Sequence, residues 1–308
     1  MSSNRVTLQD VAAASGVSRA TASFVLRDSP NIAIAPATRE RVRQAARDLG
    51  YVPHGLARAL REGSSRIVVL SVDSSSEGNY SRSYIRGLDE ELTRNGHVLL
   101  VRHGQSAPES AQQVLDVIAP RAVLRLAEKY LQPGHEMDDG GWNGGLAGNT
   151  AIQLGYLADR GHTHVAIALP DGEPVLGPVR VRFWREAADM LGLAPLELLI
   201  MPRHRTAGAS AVKQFLAGHD EVTAVAAFDD EVALRILAAL GDLGLSAPGD
   251  LAVIGFDDVE YGALATPALT TVHIDAEDHG RNDARAILGL APLGPTHVPA
   301  QVIVRESA

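Results

Sequence analysis

Val6 to Leu26 reads V-T-L-Q-D-V-A-A-A-S-G-V-S-R-A-T-A-S-F-V-L, two short helical patterns on either side of Ser15-Gly16-Val17. Thr7 offers a side-chain oxygen to cap the first helix, and Asp10 follows at the spacing of a capping box. Ser18 is placed to cap the second. Leu8, Val11, Ala12, Val17, Ala22, Val25 and Leu26 recur at helical intervals on the faces that meet, and Gly16 permits the positive φ of a tight corner. The pattern predicts a helix-turn-helix. Such a unit lays the start of its second helix in the major groove of DNA, so Ser18, Arg19, Ala20, Ser23 and Phe24, together with Thr7, are the candidate contacts. Arg19 has two readings: a bidentate donor to a guanine edge, worth about 1–3 kcal/mol of discrimination, or a phosphate clamp. Ala20 and Phe24 offer only apolar contact, for example to a thymine methyl.

A third helix is expected from Pro36, which suits a first helical position. Val42, Ala45, Ala46 and Leu49 supply its buried stripe, and Gly50 stands where a C-cap favours left-handed φ. Charge supports a nucleic-acid role for this segment alone. Residues 1–65 carry nine arginines against five acidic residues, a net +4, whereas the remainder carries −13. A basic footprint on an acidic chain favours phosphate contact at one end and discourages it elsewhere.

The 308 residues, 45% hydrophobic, suffice for a small domain and a larger body. There is no cysteine, so disulfides and thiolate metal sites are excluded. The N-terminus lacks an apolar secretory run, and no stretch reaches the roughly 18 apolar residues of a membrane span, so a soluble cytoplasmic protein is expected.

Pro53-His54-Gly55-Leu56-Ala57-Arg58-Ala59-Leu60-Arg61 places Leu56 and Leu60 one helical turn apart. A helix of about eight residues is not stable alone in water, so one here forms on DNA or against a partner chain. Residues 6 to 62 resemble the N-terminal region of the LacI/GalR family of bacterial transcription regulators. The matching segments are V-T-L-Q-D-V-A, the S-G-V-S turn, T-R-E-R-V at Thr38 to Val42, L-G-Y-V-P at Leu49 to Pro53 and L-A-R-A-L at Leu56 to Leu60. The resemblance implies a repressor that binds a palindromic double-stranded DNA operator as a homodimer. It also implies a hinge helix and linker at 52–65, with Leu60 at the position that wedges into the minor groove and Ala57 beside it. Ala20 and Phe24 stand where the family commonly has polar or basic side chains, so the operator sequence does not transfer from better-known members.

From Arg66 onward apolar runs alternate with helical patterns. Ile67 to Val72, Val98 to Arg102, Ala122 to Leu126, Val165 to Leu169, Ala224 to Phe228 and Leu251 to Phe256 read as buried parallel strands. Arg86 to Asn95, Gly148 to Arg160, Arg182 to Leu191, Ala209 to Ala217 and Asp230 to Leu243 read as helices. That is a doubly wound α/β pattern, whose ligands gather beyond the carboxyl ends of the strands, where Asp73, Asp171, Asp229 and Asp257 stand. By the resemblance, the fold is an N-terminal three-helix helix-turn-helix domain (1–51) plus an α/β periplasmic-binding-protein-like (type I) effector and dimerisation domain (66–308) of two doubly wound subdomains. The first takes about 66–143 and 274–291, the second about 144–273 and 292–308, including a strand at Val298 to Val304. Arg182, Asp229 and Asp257, with Asp73, are the effector contacts so implied, suited to a sugar or related polyhydroxylated ligand; the two later aspartates have the alternative reading of helix caps.

Gln132 to Gly148 breaks the pattern: it is Gly-rich where the family has a strand, a crossover and an acidic residue near position 145, here Gly145. Its glycines make no G-x-G-x-x-G and no Gly-Lys-Ser/Thr follows, no G-x-S-x-G elbow occurs, and Gly161-His162-Thr163-His164 lacks metal-ligand spacing, so no enzyme, cofactor or metal site is expected. A secreted solute-binding protein would not carry a helix-turn-helix, and a purely architectural DNA binder would not carry the α/β body. No leucine heptads mark the C-terminus, so no tetramerising coiled coil is expected. If Leu60 is a minor-groove wedge, Leu60→Ala weakens specific operator binding far more than nonspecific binding in competition gel shifts; equal losses remove the role.

Overall fold

The computed structural model describes residues 6–26, 32–51, 65–72, 78–103, 108–132, 134–172, 174–294 and 298–308. The hinge candidates Ala57 and Leu60 and the cleft candidate Asp73 lie outside the described residues. The chain divides into two units, Met1–Ser65 and Arg66–Ala308.

In the first unit, α1 (Leu8–Ser15), α2 (Arg19–Leu26) and α3 (Pro36–Asp48) follow the local signals. Both halves of the capping box form: Asp10 N donates to Thr7 Oγ1 at 3.4 Å, and Thr7 N to the Asp10 carboxylate at 2.7 Å. Gly16 closes α1 at φ +66°. Ser18 Oγ accepts from Thr21 N at 3.1 Å at the start of α2. Val11, Ala12, Ala22, Val25, Val42 and Ala46 close the core. Arg41 Nε donates to the Ser15 carbonyl at 2.9 Å, which ties α3 to the negative end of α1. Leu49, expected in the buried stripe, is instead the C-cap residue of α3 and 37% exposed, while Tyr51 two residues on packs against the core.

The second unit has two lobes. In the first, β1 (Ile67–Val72) lies between β2 (Val98–His103) and β3 (Ala122–Arg125), all parallel. α4 (Asn79–Arg94) and α5 (Pro108–Ile118) connect them, and α10 (Glu277–Leu288), from the far end of the chain, packs on α4. That crossing is close because it is made of glycines. A Cβ on Gly87 would overlap the Glu277 carbonyl, and one on Gly280 would overlap the Tyr84 carbonyl and the Leu88 amide. Leu88, Leu92 and Ala284 bury beneath it, joined by Val68, Leu70 and Val72. Glu91 seals the crossing, accepting from Arg285 at 2.7 Å and Arg94 at 2.9 Å. Burial pushes its carboxyl up, but the two arginines outweigh burial and hold it below the ordinary carboxylate value.

The second lobe is a parallel sheet of order β5-β4-β6-β7, with β4 (Val165–Pro170), β5 (Glu197–Met201), β6 (Ala224–Ala227) and β7 (Ala252–Ile254). α6 (Leu146–Ala158), α7 (Gly177–Leu191), α8 (Arg205–Gly218) and α9 (Asp230–Asp242) complete it. β6 is buried throughout, as expected of a strand covered on both faces. The short β8 (Thr271–His273) pairs antiparallel with β9 (Gln301–Ile303), and the chain end is stitched beside β7 by Val253 N to the Ser307 carbonyl at 2.7 Å. β5 escaped the sequence reading because it is an edge strand in which Leu199 and Met201 are buried while Leu198 and Ile200 face out. α4 begins at Asn79 rather than Arg86, and α7 at Gly177 rather than Arg182, with Pro178 in its first turn. Overpacking at the α4–α10 crossing predicts that Gly280→Ala lowers stability by about 1–3 kcal/mol. Urea unfolding checks this, with Gly218→Ala, whose Cβ meets nothing within 4 Å, as the near-neutral control.

Candidate functional site

On α2 the outward stripe is the one the sequence marks. Ser18, Arg19 and Ala20 are exposed, Ser23 and Phe24 are half-buried, and Ala22 and Val25 face the core. Thr7 is exposed at the start of α1. The Thr7 and Ser18 hydroxyls already serve as caps, which aims the first turn of each helix outward with its N–H groups held in place.

Between the lobes of the second unit lies a cleft. The strands deliver Leu126, Phe228 and Phe256 to it just past their carboxyl ends, α4 contributes Tyr80, and the Gly-rich segment contributes Asp139, Gly144 and Gly145. Its most deeply set charge is Arg180 on α7, 2% exposed. The Arg180 guanidinium lies 3.8 Å over the Phe256 ring and 4.4 Å over the Trp184 ring, and it donates to the Phe228 carbonyl and to Gln153 Oε1. Gln153, fully buried on α6, is a four-way joint. Its Nε2 donates to the Ala227 and Gly255 carbonyls at 2.9 and 2.8 Å, and its Oε1 accepts from Arg180 and from Trp184 Nε1. Burial pushes the Arg180 guanidinium down to about 9 against the pull of Asp229 and Asp257, so it is still a cation at neutral pH.

Arg182, the arginine selected from sequence, does not line the cleft. It is half-exposed and pairs with Glu136 at 3.5 Å and Glu186 at 3.8 Å. Helical geometry explains the exchange: once α7 starts at Gly177, Arg180 shares the inward face with Phe183, Trp184 and Ala187, while Arg182 points away with Glu186 one turn on. Beginning the helix at Arg182 hides that periodicity. Gln153 and Asn149, also missed, share a signal of the same kind, since both fall on the buried stripe of α6 with Leu146, Thr150 and Leu157.

Asp229 and Asp257 both reach the cleft, and each spends one oxygen on a helix N-terminus. Asp229 caps its own helix, α9, through Val232 N at 2.7 Å. Asp257 caps a helix of the opposite lobe: its Oδ1 accepts from Tyr80 N at 2.5 Å and its carbonyl from Asn79 N at 2.8 Å. The carboxylate fits only because Gly78 has no side chain to overlap it. Asp257 and Asp258 adopt left-handed φ of +92° and +43°, a conformation that costs free energy in any residue but glycine. In each Asp-Asp pair the second member works inside the fold. Asp230 holds Thr271 Oγ1 and Val259 N, and Asp258 pairs with Arg305 and His273. Burial raises Asp229, and it raises Asp257 to about 7. Asp171 is exposed and outside the cleft.

The Gly-rich segment is organised by Asp139. Its carboxylate accepts from Tyr130 Oη at 2.6 Å, Gly141 N at 3.1 Å and Leu146 N at 2.7 Å, the last at the start of α6. It occupies the volume that a side chain at Gly145 would fill. The acidic group expected near position 145 therefore reaches that place from Asp139 six residues earlier in the chain.

The family model for bacterial regulatory proteins of the lacI family matches residues 7–54, and the model for a periplasmic binding protein-like domain matches residues 154–308, half of the chain. The chain belongs to the LacI family. Among similar family proteins, the transcriptional regulator CelR of Thermobifida fusca is 29% identical over 342 aligned positions, covering 98% of both chains. The ribose operon repressor of Escherichia coli K12 is 27% identical over 89% of each, and the repressor PurR of Histophilus somni 28% identical over 87% of this chain and 86% of the relative. The CelR alignment is longer than this 308-residue chain, so that LacI-family relative carries segments missing here. In fold, the chain is similar to the lac repressor dimer bound to operator and the anti-inducer ONPF (TM-score 0.75, 20% identity, 99% of both chains) and to the CelR–cellobiose complex (TM-score 0.60, 26% identity, 99% of this chain and 100% of that one).

Asp257 sets a pH dependence whose sign is fixed. Its folded pKa of about 7 lies above the unfolded value of roughly 3.9, so its stabilisation is complete near pH 4 and is lost as pH rises through about 7. Asp257→Asn keeps an acceptor for Tyr80 N and removes the charge, so its melting temperature falls less than the wild type's between pH 5 and 8. Asp257→Ala loses the cap and about 1 kcal/mol at pH 5 and, like the asparagine, escapes the further loss that the wild type takes on going to pH 8. Melting curves of the three proteins across that range check both statements.

Proposed function

We propose that this LacI-family chain is a ligand-responsive, sequence-specific transcription regulator. In this reading it binds a palindromic operator as a homodimer, represses from it, and carries a small effector in the cleft of residues 66–308. The observation that supports the reading most directly is the pairing, in one chain, of an outward Arg19 stripe on a helix-turn-helix with a two-lobed cleft whose buried polar side chains converge on its interior. Arg19, Ser18, Ala20, Ser23 and Phe24 read the major groove with Thr7 at the phosphates, and Ala57 and Leu60 act in the minor groove. In the cleft Arg180 and Asp229 meet the effector, and Asp257 joins the lobes around it. The names of the ribose operon repressor and of the CelR–cellobiose complex favour a sugar or related polyhydroxylated ligand. The chain has no catalytic role in this reading and works in the cytoplasm, where its operator is.

The coupling mechanism follows from the Asp257 bond across the lobes. An effector that bears on the cleft shifts the geometry at the Tyr80 end of α4, and a differential affinity for two lobe arrangements is a coupling free energy, typically about 1–3 kcal/mol. The experiment is operator selection from genomic fragments followed by equilibrium binding. Arg19→Ala should weaken the selected site by about 1–3 kcal/mol with little change on random DNA, and log affinity should fall linearly with log salt. A flat salt plot, or equal losses on both DNAs, overturns the DNA-reading assignment.

A further inference from the structure

The outward stripe of α2 is poor in groups that can read a base edge by hydrogen bonding. Ser18 Oγ lies 2.9 Å from Thr21 Oγ1 and accepts from Thr21 N at 3.1 Å, so these hydroxyls are occupied with starting the helix. Ser23 is engaged as well. What remains is Arg19, exposed and able to donate twice, beside two apolar side chains, Ala20 and Phe24. Ala20 is exposed. Phe24 is half-buried, yet it does not belong to the core of its unit, which Val17, Leu26 and Tyr51 pack against and Val25 fills at 1% exposure. The ring is therefore not what holds the three helices together. Ala20 and Phe24 stand one turn apart on one face, with Cβ atoms about 5–6 Å from each other. Base pairs stack about 3.4 Å apart, so the two side chains face positions one or two base steps from each other.

The apolar group that a base presents in the major groove is the C5-methyl of thymine, where cytosine carries only hydrogen. A side chain without donor or acceptor gains by covering that methyl, and it loses by covering polar edge atoms that then go unpaired. Ala20 and Phe24 thus favour a pyrimidine that bears the methyl over one that lacks it. They have no means of telling thymine from 5-methylcytosine. Both bases carry the methyl on the same carbon, and they differ in the O4 acceptor and the N4 donor, which neither side chain can engage.

We propose that Ala20 and Phe24 read pyrimidine C5-methyl groups one or two base steps apart in each half-site, beside the base that Arg19 contacts, and that they accept 5-methylcytosine in place of thymine. This rests on the reading of α2 as the major-groove helix. The test is equilibrium binding of the full chain to the selected operator, with each thymine replaced in turn by uracil, by cytosine and by 5-methylcytosine, guanine standing opposite the last two. At one or two thymines of each half-site, uracil should weaken binding about fourfold per methyl lost, the transfer value of one buried carbon. At those same positions 5-methylcytosine should bind about fourfold more tightly than cytosine. In Phe24→Ala the uracil effect should vanish at one of them, and in Phe24→Leu, which keeps an apolar side chain there, it should persist. Uracil equal to thymine at every position, 5-methylcytosine no better than cytosine, or a uracil effect unchanged in Phe24→Ala overturns the proposal. Should Phe24→Ala fail to fold, the base replacements on the wild-type chain decide it alone. A selected operator without methyl dependence overturns only this assignment, whereas failure to select any operator overturns the DNA-reading assignment beneath it.

Discussion

The second lobe is organised around one buried amide. Gln153 takes carbonyls from the ends of two neighbouring strands with its nitrogen, and with its oxygen fixes Arg180 and Trp184 on the next helix. A guanidinium buried this deeply is tolerated because each of its committed nitrogens meets a carbonyl-type oxygen, its faces meet aromatic rings, and the charges of Asp229 and Asp257 offset part of the burial. Replacing any member leaves a buried charge or a strand carbonyl unpaired, which is the expensive kind of loss. The floor of the cleft is thus rigid.

Above that floor, helix termini dominate the electrostatics. α4, α6 and α9 start at the cleft, and each receives an aspartate: Asp257, Asp139 and Asp229. The positive ends of three helix dipoles are therefore answered from within, and carboxylates that a list of residue types assigns to ligand hydroxyls serve the architecture first. Asp257 is the member of the set with mechanical reach, because the helix it caps belongs to the other lobe. Its left-handed backbone is held by the Asn79 and Tyr80 amides on one side and by Val272 on the other, where its own N–H donates to the carbonyl at 2.8 Å.

What the residues disclosed in advance was local. The capping box at Thr7, the corner at Gly16 and the stripe through Val11, Ala22 and Val42 are set by neighbours a few positions apart, so they could be read from spacing. The buried strands were equally plain as apolar runs, whereas β5 was hidden by alternation at an edge. The choice between Arg180 and Arg182 depended on where a helix begins, and a start misplaced to Arg182 exchanged inside for outside. Asp229 and Asp257, the members of the two Asp-Asp pairs that the sequence marks, are the ones that line the cleft; that Asp257 caps a helix of the opposite lobe was not legible, because its partners lie about 180 residues earlier in the chain. The role of Asp139 lay further out of reach: it depends on the space that Gly145 leaves and on Tyr130, partners that only the folded chain brings together.

The crossing of α4 and α10 joins residues 79–94 to residues 277–288. During synthesis the first lobe exposes Leu88 and Leu92 to water from early on, and the helix that covers them emerges only when the chain is nearly finished. The lobe that lies nearer the DNA-reading unit in sequence therefore waits for nearly the whole chain before its core closes, as the second lobe waits for its Ser307 end. A polypeptide cut short before residue 277 retains an intact helix-turn-helix sequence but has half a core in its first lobe, an apolar strip of the kind that chaperones and proteases recognise. Quality control of this regulator is built into the order in which its ends meet.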